Sequence, residues 1–344
     1  MARLLAMATL SLVLVSGCSQ AGAPMPPGAA QAASSDFLRH VAGAQPKLDF
    51  FNTPTQGAWP DYIISGPQGA LWFSEFYTDK IGRIATNGQI TEFPLPDNND
   101  IEGIAAGPDG NIWFTEPGAQ QIGRMTPTGQ VTAFAIPGPN PSPRGITAGP
   151  DGNLWYVEYD DGYIGRVTPS GKITRFPIPE GSISSPWDIT TGPDGNLWFT
   201  ESIANRIGRF DPRTLSFKPS LTPPTAYSNP WGILLTPDKH IWFTERTGDK
   251  LAVVLGSTIK EFRIAQPGSY PEKIAAGSDG NLWFTEMQAG RVGHFNPVTG
   301  KFNPVITLPK GSIPIGIASG PDKNLWFCIA SYTSQSQIGE IVLH

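Results

Sequence analysis

Seven residues of this chain occupy one position in a recurring phrase, two places ahead of an isoleucine: Asp61, Glu102, Arg144, Trp187, Trp231, Glu272 and Ile315. A proline precedes six of them, so the phrase reads Pro-x-Gly-Ile with the seven residues at x. Three of the seven are carboxylic acids, the type that takes or delivers protons. Arginine and tryptophan offer charged hydrogen bonds, stacking and cation–π contact. Brought to one face, such a half-acidic, half-aromatic set suits a sugar or a cationic small molecule. Asp61, Glu102 and Glu272 are therefore the candidate catalytic groups. The candidate ligand-binding set is Asp61, Glu102, Arg144, Trp187, Trp231 and Glu272. A competing expectation is that Trp187 and Trp231, each after a proline, only fill space between repeats. The three acids come from separate repeats, so no metal site is expected of them.

Histidine is absent from these positions. The four histidines are His40, near the N-terminus, His240, in a turn, His294, inside a strand, and the terminal His344. Proton abstraction near neutral pH without histidine would fall to the carboxylates.

The elements that would position these residues follow from a longer repeat. The phrase seen best as Gly-Pro-Asp-Gly-Asn-Leu-Trp-Phe-Thr-Glu recurs around Trp72, Trp113, Trp155, Trp198, Trp242, Trp283 and Trp326, at steps of 41, 42, 43, 44, 41 and 43 residues. That period is the length of one four-stranded propeller blade. The expected fold is all-β, a seven-bladed β-propeller of four-stranded antiparallel blades. Within each repeat strand A is the Gly-Ile-Ala-Ala-Gly type, strand B Asn-Leu-Trp-Phe-Thr-Glu, strand C Ile-Gly-Arg-Ile and strand D Ile-Thr-Glu-Phe-Pro-Leu-Pro. Proline in D cannot donate to a ladder, which makes D the outer edge. The last repeat ends after its strand C, and an orphan D-like segment, residues 47–54, precedes the first. This segment is expected to complete the last blade and close the ring, removing a free edge. A glutamate ends strand B in six repeats (Glu75, Glu116, Glu158, Glu201, Glu245, Glu286), and the arginine of Ile-Gly-Arg (Arg83, Arg124, Arg166, Arg209) is its expected partner. The tryptophans of Leu-Trp-Phe are expected in the core, as is the unpaired thiol of Cys328.

Composition bounds the rest. Gly 39 and Pro 35 in 344 residues suit short strands joined by tight turns. A net charge of −5 without a Lys/Arg cluster excludes nucleic acid as an expected partner. Residues 1–17 read as an export signal, a charged start followed by an apolar run too short to span a membrane. Val15-Ser16-Gly17-Cys18 resembles the bacterial lipobox, which implies a lipid on Cys18, a flexible tether over residues 18–46, and a propeller domain over 47–344. Localisation is expected in the bacterial cell envelope, anchored through Cys18; secretion is the alternative. The protein is expected to be a monomer.

The three phrases in fixed order closely resemble the streptogramin lyase (virginiamycin B lyase) family over residues 47–344. The resemblance implies a seven-bladed propeller that holds Mg²⁺ on one face and opens an ester-linked antibiotic ring by elimination, with a histidine as proton acceptor. It places the family's catalytic side chains at x. Where the family has histidine in the sixth repeat this chain has Glu272, and where it has Glu-Pro-His in the last, this chain has Ile313-Pro314-Ile315. A further family carboxylate corresponds to Ala330, and a family tyrosine to Asp61. The expected function is thus a lipid-anchored propeller that binds a small molecule or glycan at its central face, without cofactor, or an interaction protein whose outer rim binds protein partners. The alternative is an enzyme: a lyase of the family's type with Mg²⁺, or a lactone-directed hydrolase using Asp61, Glu102 and Glu272.

Overall fold

The computed structural model describes residues 46–96, 100–332 and 335–343. The export signal, Cys18 and the tether up to residue 45 lie outside the described residues. In the first blade, strands A to D are Pro60–Gly66, Ala70–Glu75, Lys80–Ile84 and Ile90–Pro94, each antiparallel to the next. Blades 2 to 6 repeat the plan over residues 104–135, 143–177, 186–221, 230–263 and 271–307. Strand A of each blade lies against strand A of the next, so the seven A strands ring a central axis and D is outermost.

Blade 7 takes strands A to C from Ile313–Ser319, Leu325–Ala330 and Gln337–Val342. Its fourth strand is Lys47–Asn52, antiparallel to the third with Lys47 opposite Val342 and Asn52 opposite Gln337. The ring closes as expected, two residues short of the anticipated strand end. In blade 6 the outer strand is broken into Lys301–Phe302 and Ile306–Thr307, both paired with Arg291–Asn296. Pro304 lies in the gap, where a residue without an N–H cannot continue the ladder.

The repeated phrase is scaffold. All seven Leu-Trp-Phe tryptophans are buried. In five blades the indole N–H donates to the aspartate of the preceding A–B turn, at 3.0 Å for Asp109 and Asp151 and within 0.2 Å of that for Asp194, Asp279 and Asp322. The same aspartates accept the backbone N–H of the following asparagine, which locks the A–B turn. The glycine of Ile-Gly-Arg is required by the phenylalanine beside the tryptophan: a Cβ on Gly82 would sit 2.0 Å from the Phe73 ring.

Antiparallel register also decides what the glutamates and arginines face. Trp72 stands opposite Arg83, and Glu75 opposite Lys80. The Ile-Gly-Arg arginines therefore stack on tryptophans, with guanidinium carbons 5.8, 5.6, 5.6 and 4.9 Å from the rings of Trp72, Trp113, Trp155 and Trp198. The buried glutamates find other partners, for example Arg175 for Glu158 and Arg291 for Glu286, both at 2.5 Å. The expected pairing of the two series is corrected accordingly.

Candidate functional site

The x position lies where strand A begins, at the same end of each blade as the close of strand B. In blade 3, Pro143 pairs with Glu158 but Ile146 pairs with Tyr156, so two residues, Arg144 and Gly145, stand opposite one. The same bulge recurs in blades 1, 4, 5, 6 and 7. A bulge re-aims side chains, and here it turns the x residues toward the axial mouth.

Adjacent blades are tied together at this level by the threonine of Trp-Phe-Thr-Glu. Thr115 Oγ1 accepts the Gly103 N–H at 2.8 Å and donates to the carbonyl of Arg144 in the next blade at 2.8 Å. Ser74, Thr200, Thr244 and Thr285 donate likewise to the carbonyls of Glu102, Trp231, Glu272 and Ile315. The belt fixes the backbone of x from both sides. Cys328 occupies the corresponding place in blade 7; it is free and buried, as expected, and burial pushes its thiol pKa well up.

On this frame six charged and aromatic side chains form one continuous row across the mouth. Glu102 is ion-paired to Arg144 at 2.8 Å, and the Arg144 guanidinium lies 5.1 Å from the centre of Trp187. Trp187 stacks on Trp231 with centroids 3.8 Å apart. Arg246 then covers Trp231 at 3.9 Å and pairs with Glu272 at 2.6 Å. Two groups at under 4 Å from one ring centre must lie on opposite faces, so both faces of Trp231 are occupied. Arg246 was not foreseen from the sequence, because it follows Glu245 at the start of a turn and lies outside the x pattern.

Asp61 differs from the other acids. It is half-buried and makes no ion pair among the described residues. Burial pushes its pKa well above the ordinary range, the nearby carboxylates of Glu102 and Glu272 add to that, and Lys273 and Arg144 oppose it. Burial raises Glu102 and Glu272 too, against the pull of Arg144 and Arg246. Ile315 is buried among these groups and brings no chemistry.

Below the row, the second bulge position holds a further cluster that the sequence reading missed. Glycine occupies it in four blades because the neighbouring backbone is too close: a Cβ on Gly232 would lie 2.4 Å from the Glu272 carbonyl oxygen. The three exceptions are Tyr62, Asp188 and Lys273, all buried. Lys273 Nζ donates to Asp188 Oδ2 at 2.8 Å and sits 3.8 Å from the centre of the Tyr62 ring. Asp188 also accepts the N–H of Ile233 at 3.2 Å. Four blades are thereby joined across the axis. Departure from glycine was the available signal.

The histidines stand elsewhere. His240 belongs to an A–B turn at the opposite end of blade 5, where it pairs with Asp238 at 3.1 Å. His294 stacks on Trp283 at 4.2 Å, in the place other blades give to arginine. Among the described residues no three His, Cys, Asp or Glu side chains gather as a metal site would need.

A seven-bladed propeller whose axial mouth is lined from the first residues of its inner strands defines the class of protein. The virginiamycin B lyase family profile matches residues 41–216 and 217–344, and the chain belongs to that family. A solved structure of catalytically inactive virginiamycin B lyase from Staphylococcus aureus with quinupristin is 34% identical, covering 87% of this chain and 99% of that one, with a TM-score of 0.80. A streptogramin B lyase structure is 32% identical at the same TM-score, covering 87% and 98% of the two chains. Hydrazine synthase of Kuenenia stuttgartiensis shares the fold alone, with 14% identity, coverage of 84% and 97%, and a TM-score of 0.70. No curated protein sequence matches the chain.

Proposed function

We propose that this chain is a binding member of the virginiamycin B lyase family, one that receives a small molecule at its axial mouth and leaves it chemically unchanged. The observation that carries this reading is the row Glu102–Arg144–Trp187–Trp231–Arg246–Glu272. Two of the three candidate acids in it are engaged by arginine, and neither is free to act as a base at the distances above. At the positions where the resemblance implies histidine stand Glu272 and Ile315. Covered ring faces favour a polar small molecule, held by the arginine and carboxylate edges, over a sugar stacked on tryptophan.

The family implies Mg²⁺ at this mouth, and the residues present do not fit it. Glu102 and Glu272 are turned to guanidinium groups, and no third donor joins them among the described residues.

One observation favours a second reading. Asp61 makes no ion pair among the described residues, and its raised pKa is the setting that makes a carboxyl group a proton donor or acceptor. A lyase or lactone-directed hydrolase using Asp61, with Glu102 and Glu272 as neighbours, is the alternative.

Equilibrium dialysis against quinupristin separates the two. Binding without turnover predicts that intact antibiotic is retained by the wild type and lost in Trp231→Ala. Equal retention by that variant, or appearance of a linear product, contradicts the binding reading. We further propose that the protein is held in the bacterial envelope by a lipid on Cys18. An N-terminal peptide of the mature protein carrying diacylglyceryl-cysteine supports this, and an unmodified N-terminus after residue 18 refutes it.

A further inference from the structure

The outer strands repeat one further contact. Opposite the second residue of strand C stands a strand D phenylalanine in five blades: Phe93 opposite Ile81, Phe134 opposite Ile122, Phe176 opposite Ile164, Phe262 opposite Leu251 and Phe51 opposite Ile338. Each ring stacks on the core tryptophan of its own blade, with centroids 5.5–5.7 Å apart. The C–D turn glycine of the following blade lies against several of these rings: a Cβ on Gly129 would meet Phe93 at 2.7 Å, and one on Gly300 would meet Phe262 at 3.5 Å.

Blade 4 departs from this plan. Its outer strand bulges around Pro219, so that Leu221 stands opposite Ile207 where the other blades place phenylalanine. A leucine lays no ring on Trp198, and the Arg209 guanidinium lies 4.9 Å from the indole, nearer than the 5.6–5.8 Å of its three counterparts. Gly256, the C–D turn glycine of blade 5, faces open space, for a Cβ there would meet no atom within 4 Å. A cavity of about 530 Å³ occupies this place, between Trp198 and Arg209 of blade 4 and Lys239, Val254, Leu255 and Gly256 of blade 5. That volume lies within the range of small-molecule sites. Blade 6 also has an aliphatic residue, Ile306, in place of the phenylalanine, but there His294 covers the tryptophan at 4.2 Å.

The polar groups of the wall are mostly committed. Asp194, its one acid, accepts the Trp198 indole N–H at 3.1 Å and both the backbone and the side-chain N–H groups of Asn196. Arg209 donates twice to the Pro219 carbonyl, at 3.0 and 3.3 Å. Lys239, exposed and without an ion pair among the described residues, is the charged donor left for a ligand.

We propose that this cavity is a binding site for an aromatic carboxylate. Its ring takes on Trp198 the place that phenylalanine takes in five other blades, and its carboxylate pairs with Lys239. The A–B and C–D turns that build the cavity stand at the end of the blades away from the mouth, and the two sites share no residue. Occupancy of this one therefore does not depend on the binding reading above.

Ligand-observed NMR titration of the purified full chain with 3-phenylpropionate tests the assignment. The expected result is saturable binding of one molecule per chain, with affinity unchanged in Trp231→Ala at the mouth. Leu221→Phe supplies the ring that the other blades carry and should abolish binding at an unchanged or higher thermal midpoint. Lys239→Gly gives this turn the residue found at Gly110, Gly152, Gly195 and Gly280, so the fold is kept. It should weaken 3-phenylpropionate about tenfold, the loss of one charge-assisted hydrogen bond, and leave the neutral 3-phenylpropanol unchanged. Non-saturable binding, full binding by Leu221→Phe, or loss of binding in Trp231→Ala overturns the site. Unchanged affinity for 3-phenylpropionate in Lys239→Gly overturns the carboxylate.

Discussion

Replacing Glu245 by Gln should stabilise this propeller in alkaline solution and do little in acid. Glu245 ends strand B of blade 5 and is fully buried. Burial, with the Glu261 carboxylate adding to it and Lys250 opposing, lifts its pKa from an ordinary 4.5 to about 8. The folded chain thus keeps a proton that the unfolded chain releases near 4.5. Stability from this group is fully present below that pH and is lost as pH rises through the window up to about 8. At about 1.4 kcal/mol per unit, the loss amounts to roughly 5 kcal/mol above pH 8. In a fold of this size that corresponds to roughly 5–10 °C in thermal midpoint. Glutamine has nearly the same shape and cannot ionise. Differential scanning calorimetry at pH 5, 7 and 9 should find the variant and wild type close together at pH 5 and the variant well above at pH 9. Parallel pH profiles for the two proteins would refute the assignment of the proton to Glu245.

Three further outcomes follow from the packing. Lys273→Met leaves the buried Asp188 carboxylate with backbone donors only and should cost about 3 kcal/mol; Asp188→Asn in the same chain should recover most of it, as measured by thermal midpoint. Thr244→Val removes the hydroxyl that joins the N–H of Gly232 to the carbonyl of Glu272, for a loss of about 1–2 kcal/mol in chemical denaturation, since Val157 already occupies the equivalent place in blade 3. A chain starting at residue 53 exposes the edge of Gln337–Val342 and should elute as aggregate in size-exclusion chromatography, whereas the full chain does not.

Much of this architecture is legible in the sequence because each blade spells out the same strand, turn and edge signals. A 41- to 44-residue step identifies the blades, and the missing fourth strand of the last blade identifies its replacement, Lys47–Asn52. The seven x residues were likewise legible as positions, since a proline and a bulge set them at strand starts. Their partners were not. Arg246 enters the row from a turn that carries no repeat signal, and only the fold brings it over Trp231. Lys273 and Asp188 are 85 residues apart and meet across the axis, a proximity no local pattern encodes. The glutamate–arginine pairing failed for a different reason. Antiparallel strands pair residues equidistant from their turn, so Arg83 falls opposite Trp72 and Lys80 opposite Glu75. That register follows from the position of the turn and not from opposite charge.

The most direct test of the binding reading is the fate of quinupristin, which a solved relative holds. The purified protein is incubated with quinupristin and Mg²⁺, with EDTA and Asp61→Asn as controls, and followed by liquid chromatography with mass spectrometry. Elimination would give a linear isomer of unchanged mass and altered retention, and hydrolysis would add one water. Binding without turnover predicts that quinupristin is recovered intact at every protein concentration. A linear product that accumulates in proportion to protein and disappears in Asp61→Asn would contradict it and assign the chemistry to that carboxyl group.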